Sequence, residues 1–474
     1  MPQAPRTGKL ARSAVVGVAV ARAGVAQLAH SARQRVQATP TNTEAHDEAL
    51  GRIAFQALNQ LKGVALKASQ LLSMDIGLLP EAMRQQLARA HYQATPLNRA
   101  LVLKLLRQEF GQGPDDLFAQ FEPQAFAAAS LGQVHAATLH TGEDVAVKLQ
   151  YPGMAATLQS DLQLLRLLLS SLGQHTTAMP SPQVLERTLA DISTTLAQEL
   201  DYVQEARQLQ WFAQHLPSPW LVVPQPVPSH STARVLTMHK LGGLHLEAWL
   251  ATHPSQAERD HYGQLLFDLF LHSCFCLQHL QTDPHPGNFL FMPGGRLGLL
   301  DFGCTRTLEP AFCQGLTRAW CAVLRRPKDT AALQAAYSQL GLIDPAMSEA
   351  VFLTELLPAL QAMQDWQCLP FRSAVYDFGQ LPLPPRPGAE HRQVMQHLQA
   401  VPPDLPYFDR AHLGLVQMLR SMGARVRTGN AWIFQEPGTN PVNTTPAAPA
   451  SAAPGGQSPP AGAGASPGLV ARWR

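Results

Sequence analysis

The sequence QTDPHPGNFLFMPGGRLGLLDFG, residues 281–303, joins a tight loop to two short apolar runs. Two prolines and a glycine within residues 283–288 exclude a helix there. The apolar runs, residues 289–292 and 297–300, flank a Pro-Gly-Gly turn, and this pattern predicts a β-hairpin. The stretch is therefore predicted to form a loop followed by two antiparallel strands.

The predicted hairpin places polar residues close together. Asn288 precedes the first strand and Asp301 follows the second, so antiparallel pairing brings them together at the open end. With Asp283 on the adjoining loop, they supply the carboxylate and amide oxygens that suit Mg²⁺. An Asp, an Asn five residues later and an Asp-Phe-Gly sequence also have the order and spacing of a protein-kinase catalytic centre, although Gln281 and Thr282 replace the usual His-Arg. We predict a phosphoryl-transfer or nucleotide site here; a structural turn followed by a surface hairpin is the alternative.

A lysine lies within a predicted strand upstream of this stretch. In VAVKL, residues 145–149, alternation places Lys148 on the face opposite the two valines and the leucine. A buried ammonium needs a carboxylate partner. The helical sequence QELDYVQEA offers Glu199 as the first choice and Glu205 as the second, with Asp201 expected to make a different contact. VAVK also matches the phosphate-binding lysine strand of kinases, whereas the loop before it is rich in alanine instead of glycine.

Composition narrows the class of protein. The 474 residues carry 36 Lys and Arg against 34 Asp and Glu, a balance that does not suggest a nucleic-acid partner. Six cysteines in a chain of this length do not form a disulfide framework, so we expect a reducing compartment. No run of about 18 apolar residues occurs, and a transmembrane helix is therefore not expected.

The first 43 residues are basic, because they contain six Lys and Arg and no acid. They are expected to form an amphipathic helix on an anionic membrane surface, an organellar transit segment or a mobile tail. We accordingly expect a cytoplasmic protein that is peripheral at the inner face of a membrane, with organellar import as the alternative.

These elements together predict an α+β, two-lobed protein-kinase-like fold with a helical N-terminal extension and a disordered C-terminal tail. Gly242 and Gly243 are expected to form the hinge between the lobes, and the Pro-, Ala-, Gly- and Ser-rich end of the chain is expected to be disordered. The predicted boundaries are a basic N-terminal segment (1–43), a helical extension (44–120), an N-lobe (121–240), a C-lobe (241–436) and the disordered tail (437–474).

Six motifs in order resemble those of the UbiB/AarF/ADCK family of atypical kinases, from about Arg52 to Arg306. They are ALKASQLLS, similar to the family's KxGQ motif, the alanine-rich loop AAASLGQVHAA, VAVKLQYPG, QELDYVQEA, similar to its ExD motif, DPHPGN and LDFG. The resemblance implies a kinase-like fold whose helical extension lies over the acceptor cleft, binding of Mg²⁺ with ATP or ADP, ATPase activity, and a role in ubiquinone or other isoprenoid-quinone metabolism. The expected partners are the nucleotide, an anionic membrane surface, and isoprenoid-quinone precursors or their biosynthetic proteins, but no nucleic acid.

The resemblance also implies roles for individual residues. The catalytic residues would be Asp283, Lys148 and Glu199; the nucleotide-binding residues Ala127, Ala128, Ala129, Ser130, Gln133, Lys148 and Met238; the gate residues Lys67, Gln70, Glu199 and Asp201; and the metal ligands Asn288 and Asp301. Two positions depart from the family's pattern: Ser69 replaces the KxGQ glycine, and His239 stands where the hinge often carries an acid. Because a charged residue in an otherwise apolar extension needs an acid, we expect Lys67 to reach Glu199 or Asp201 across the cleft.

Two other functions fit part of the sequence. A small-molecule phosphotransferase of the aminoglycoside type shares the DxxxxN loop, but the DFG sequence, the alanine-rich loop and the helical extension argue against it. A nucleotide-sensing scaffold without catalysis is the alternative outside enzymology. It is disfavoured because every residue assigned to metal and phosphate is retained.

Overall fold

The computed structural model describes residues 9–36, 43–61, 63–74, 83, 85–86, 97–129, 131–173, 182–385, 394 and 397–429. These residues belong to one compact unit, Met1–Phe434. Three predictions lie outside the described part: the disordered tail at 437–474, the loop residue Ser130 and the side chain of Gln70.

Helices precede, separate and follow a few short strands. The α-helices are α1 (Lys9–Val36), α2 (Thr43–Leu61), α3 (Gly63–Met74), α4 (Arg99–Phe110), α5 (Pro114–Leu117), α6 (Met154–Gly173), α7 (Pro182–Glu199), α8 (Tyr202–His215), α9 (Leu246–Leu250), α10 (Gln256–Leu271), α11 (Pro310–Leu324), α12 (Thr330–Gln339), α13 (Glu349–Val351), α14 (Leu357–Cys368) and α15 (Leu405–Met422). The strands are β1 (Gln120–Phe121), β2 (Ala127–Ala129), β3 (Gly132–Thr138), β4 (Asp144–Gln150), β5 (Leu221–Val222), β6 (Val235–His239), β7 (His279–Gln281), β8 (Phe289–Met292), β9 (Arg296–Leu299), β10 (Thr305–Thr307), β11 (Val375–Asp377) and β12 (Arg425–Arg427).

The N-lobe is built on an antiparallel sheet in the order β1-β3-β4-β6, with β2 pairing with the other end of β3. Val145, Val147 and Leu149 are fully buried on one face of β4, where they pack with residues of α4. Lys148 lies on the opposite face, because side chains alternate along a strand. The predicted orientation of this strand is confirmed.

The N-terminal helices form a separate apolar core together with α6 and α7. α1 contributes Val15, Val16, Ala19 and Ala23 to this core, so the described helix of the basic segment packs with the folded extension. In contrast, α4 and α5 pack against the outer face of the N-lobe sheet. The helices of residues 44–120 therefore contribute to two cores, because the apolar stripe of α4 and α5 is buried against the N-lobe sheet. Within the described ranges, no helix is long and apolar enough to cross a membrane.

The predicted hairpin is confirmed. β8 and β9 pair antiparallel with Phe289 opposite Leu299, and β5 adds to β9 as a parallel strand. This small sheet packs with helices α10, α11 and α15 in the core of the C-lobe. Helix α15 crosses the loop that precedes the hairpin so closely that a Cβ atom at Gly414 would overlap Pro284. Glycine at this position therefore permits α15 to support the loop.

Candidate active site

The predicted phosphate-binding lysine lies between two carboxylates. The Lys148 ammonium donates to both carboxylate oxygens of Glu205, at 2.7 and 2.9 Å, and to Oδ2 of Asp301 at 3.2 Å. Lys148 and Glu205 are buried, with exposed fractions of 7% and 1%. The first choice of partner, Glu199, is wrong. Glu199 ends α7 whereas Glu205 lies in the first turn of α8, and the break between these helices directs the two acids to different partners.

Burial and charge act in opposite directions on this cluster. Burial lowers the pKa of Lys148, but Asp301 and Glu205 raise it well above the usual 10.5. Burial raises the pKa of Asp301, but Lys148 and the backbone N–H of Gly303 bring it below the usual 3.8. Burial, together with the charge of Asp301, raises the pKa of Glu205 to about 7 despite Lys148. One ammonium is therefore shared by two acids, and Asp301 is the acid that stays ionised and is able to bind a cation.

The open end of the hairpin joins the catalytic loop to Asp301. The backbone N–H of Leu300 donates to the carbonyl of Asn288 at 2.9 Å, and Asn288 and Asp301 line the same cavity. The Asn288 amide nitrogen donates to the carbonyl of Asp283 at 2.9 Å, which leaves the amide oxygen as the atom that would bind a cation. Gln281 donates to the carbonyls of Asp283, at 2.8 Å, and Asp301, at 3.3 Å. The structure thus brings these predicted residues together.

The predicted contact between Lys67 and Glu199 forms, and it joins helices α3 and α7, which share one apolar core. The Lys67 ammonium lies 3.1 Å from Oε1 of Glu199, and both side chains are largely buried. Burial lowers the pKa of Lys67, but Glu199 and then Asp283 raise it above the usual 10.5. The thiol of Cys304 donates to the same Oε1 atom at 3.2 Å. Burial and Glu199 raise the pKa of this thiol well above its usual 9.0, so it remains a protonated donor.

The other gate residues behave differently. Asp201 does not contact Lys67 in the described structure, because its carboxylate caps α8 by accepting from the N–H of Gln204 at 2.9 Å. The expectation of a different contact for Asp201 is confirmed, and of the two acids expected to meet Lys67, Glu199 is the one that does. Ser69, the departure from the KxGQ pattern, is completely buried in α3.

Gln133 is the one described nucleotide-binding candidate that the structure contradicts. Its side chain is only 1% exposed and points away from the cleft, accepting from the N–H of Leu97 at 2.7 Å and contacting His135 at 2.7 Å. The reason is the alternation of β3: Val134, not Gln133, pairs with Lys148 and shares its face.

The other candidates lie beside the cleft face of the sheet. Ala127, Ala128 and Ala129 form β2, which pairs with the start of β3. Met238 pairs with Ala146 on the face of β4 that carries Lys148, and both side chains are buried. Ala127 and Ala129 therefore share the face that carries Lys148, whereas Ala128 pairs with Gln133 on the other face; nucleotide binding by these residues and Met238 stays a prediction.

The charges of the site suit a divalent cation. Two lysines, Lys67 and Lys148, lie among four acids, Glu199, Glu205, Asp283 and Asp301, so these groups carry a net negative charge even when Glu205 holds a proton. The Asp301 side chain is 30% exposed and accessible from the cleft. Among the described residues, no three His, Cys, Asp or Glu side chains form a metal cluster. Mg²⁺ fits such a site, because it binds through one or two carboxylates and completes its ligands with water and phosphate.

Sequence reasoning missed several residues that organise the site. Gln281 bridges the catalytic loop and the DFG segment, and its position before Asp283 was the available signal. Arg306, three residues after the DFG segment, donates to Asp404 at 2.9 Å, and Asp404 also accepts from the N–H of Glu309 at 2.8 Å. Nothing in the sequence around Asp404 indicates this contact, because it lies about 100 residues further along the chain.

The fold and the site define an atypical kinase-like domain. Residues 89–335 match the family model described as the ABC1 atypical kinase-like domain, which covers just over half of the chain. The chain therefore belongs to the UbiB/AarF/ADCK family of atypical kinases.

The chain is also similar to two atypical kinases and to one solved structure. The chain is 35% identical over 259 residues to the mitochondrial atypical kinase COQ8 of Saccharomyces cerevisiae, covering 54% of this chain and 50% of that protein. It is 36% identical over 283 residues to the mitochondrial atypical kinase COQ8B of Rattus norvegicus, covering 59% and 52%. The chain thus spans about half the length of these relatives. The Rv3197–erythromycin complex from Mycobacterium tuberculosis superposes with a TM-score of 0.55 at 26% identity, covering 79% of this chain and 92% of that one.

Proposed function

We propose that the protein binds ATP or ADP with Mg²⁺ and acts as an ATPase or phosphotransferase. The observation that carries this proposal is the position of Lys148 between Glu205 and Asp301, with Asn288 at the open end of the hairpin. In this proposal Lys148 binds phosphate oxygens, while Asp301 and the amide oxygen of Asn288 hold the metal ion. Bound Mg²⁺ would neutralise charge on the terminal phosphates.

The gate favours hydrolysis over phosphorylation of a protein. Asp283 is the acid that would orient or deprotonate an acceptor, and Lys67 acts on it electrostatically from the helical extension. The Lys67–Glu199 salt bridge ties that extension to the end of α7 beside the cleft. A protein-sized acceptor would have to displace this contact, whereas a water molecule would not.

We further propose that this activity supports ubiquinone or related isoprenoid-quinone metabolism at an anionic membrane surface. Membership of the family supports the quinone role, and the organellar relatives are consistent with import as an alternative to a cytoplasmic location. Support for the surface comes from α1, where Val18 and Val25 are exposed on a helix whose opposite face is buried. Exposed apolar side chains on a basic helix suit the interface of an anionic bilayer.

Calorimetry with Mg²⁺–ATP tests the proposed site. Asp301→Asn keeps the shape of the side chain but removes its charge, so we expect the affinity for Mg²⁺–ATP to fall by about tenfold or more, equivalent to ~1.4 kcal/mol. The matched control is Asp377→Asn, since Asp377 also begins an Asp-Phe-Gly sequence and also accepts from the glycine N–H, but has no contact with Lys148 among the described residues. Equal affinities of the unmodified protein and Asp301→Asn would refute the assignment. ATP bound without turnover by the unmodified protein would instead favour the nucleotide-sensing scaffold.

A further inference from the structure

The contact between Cys304 and Glu199 joins two parts of the site that lie far apart in the chain. Glu199 Oε1 receives the Lys67 ammonium at 3.1 Å from one side and the Cys304 thiol at 3.2 Å from the other. Lys67 belongs to α3 of the extension, and Cys304 directly follows the Asp-Phe-Gly segment. One carboxylate oxygen therefore links the gate to the loop that carries the proposed metal ligand.

The backbone around Cys304 is held firmly to both catalytic segments. The N–H of Thr282 donates to the Cys304 carbonyl at 2.9 Å, and the Thr282 hydroxyl donates to the same carbonyl at 3.2 Å. On the other side, the N–H of Gly303 donates to Oδ1 of Asp301 at 2.8 Å. If Glu199 moves the thiol, we therefore expect the catalytic loop and Asp301 to move as well, because these hydrogen bonds join their backbone to that of Cys304.

We propose that Cys304 is a positioning residue that couples the Lys67–Glu199 gate to the loop carrying Asp301. The proposal rests on the proposed function, because it concerns the control of that site. Cys304 is only 4% exposed, so the contact is shielded from water and the donor is not readily replaced by solvent. When the gate is closed, the thiol and Lys67 contact the same carboxylate oxygen; when Lys67 leaves, the contact between that oxygen and the thiol changes, and with it the position of Asp301.

Serine and alanine at position 304 separate this role from simple packing. Serine retains a donor close to Glu199, whereas alanine removes it. We expect Cys304→Ala and Lys67→Ala each to change the dissociation constant for Mg²⁺–ADP in the same direction by about fivefold, equivalent to ~1 kcal/mol. Cys304→Ser is expected to restore most of the affinity, and the double variant Lys67→Ala/Cys304→Ala to change no more than either single variant.

A second measurement needs no nucleotide. In the unmodified protein Cys304 should react slowly with a small maleimide, and Lys67→Ala should increase its labelling rate at least about tenfold, as followed by mass spectrometry of the Cys304 peptide. Chemical unfolding of the unmodified protein, Lys67→Ala, Cys304→Ala and the double variant gives a second double-mutant cycle. Cys313→Ala is the matched control, since Cys313 is also a buried thiol but donates to the carbonyl of Cys274 in the C-lobe core.

The outcomes distinguish the two proposals. Additive effects of Lys67→Ala and Cys304→Ala on unfolding, together with unchanged labelling of Cys304, would overturn the coupling. Coupling between Cys313→Ala and Lys67→Ala of the same size would also overturn it, because it would reflect general loosening. A failure of the unmodified protein to bind either Mg²⁺–ATP or Mg²⁺–ADP would refute the proposed function, while the labelling and unfolding cycles would still decide whether Cys304 is coupled to the gate.

Discussion

The burial of Glu205 beside Lys148 and Asp301 predicts an unusual dependence of stability on pH. In Glu205→Gln, a neutral side chain of the same shape replaces the buried acid, and Lys148 keeps Asp301 as its charged partner. The folded protein raises the pKa of Glu205 from 4.5 to about 7, mainly through burial. The folded state therefore holds a proton on Glu205 between these two values, whereas the unfolded state has released it.

The sign and size of the effect follow from this difference. An acid whose pKa is raised in the folded state contributes stability below pH 4.5, and this contribution is lost as the pH rises to about 7. At 1.36 kcal/mol per pKa unit, the full loss is about 3 kcal/mol, and solvent does not screen it because the side chain is buried. Glutamine does not titrate. The unfolding free energy of the variant, relative to the unmodified protein, should therefore rise by about 3 kcal/mol between pH 4.5 and pH 8.

Urea unfolding at a series of pH values measures this difference directly. Glu109→Gln serves as the control for the loss of a buried, paired carboxylate, because Glu109 pairs with Arg234 away from the active site. Subtracting the unmodified protein at each pH removes the contributions of the other titrating groups. A stability difference between Glu205→Gln and the unmodified protein that stays constant from pH 4.5 to pH 8 would refute the raised pKa of Glu205 in the folded state.

Two further predictions concern the gate and the membrane surface. Lys67→Ala should permit autophosphorylation with Mg²⁺–ATP, because it removes the salt bridge to Glu199; brisk phosphorylation of casein by the unmodified chain would contradict the occluded cleft. Val25→Asp, at a position that is 66% exposed on α1, should reduce pelleting with anionic liposomes at low salt, whereas Val375→Asp, 54% exposed in the C-lobe, should not. Equal pelleting of the two valine variants would remove the membrane role from α1.

Features that depend on neighbouring residues are predictable from the sequence. The hairpin at residues 289–299 follows from two apolar runs around a glycine turn, and the orientation of Lys148 follows from alternation along one strand. The Lys67–Glu199 contact was also expected, since a lone charge in an apolar extension requires an acid. Each of these features depends either on a few adjacent residues or on the high cost of burying an unpaired charge.

The predictions are wrong where the partner of a side chain depends on how helices and strands pack. Glu199 and Glu205 are six residues apart, and the choice between them depended on a helix break and on the direction in which α8 leaves it. Gln133 was assigned to the nucleotide because of its motif, but the register of β3 with β4 turns it to the other face. The roles of Cys304 and Asp404 required the close approach of segments about 100 residues apart.

The two Asp-Phe-Gly sequences separate local from tertiary information. Asp301 accepts from the N–H of Gly303 at 2.8 Å, and Asp377 accepts from the N–H of Gly379 at 2.9 Å, so the same three residues form the same local hydrogen bond in both places. Sequence alone determined that hydrogen bond, because it joins residues two apart. Only the tertiary structure placed Asp301 at 3.2 Å from the Lys148 ammonium, across 153 residues of chain, since a buried ion pair forms only where packing brings the two lobes together.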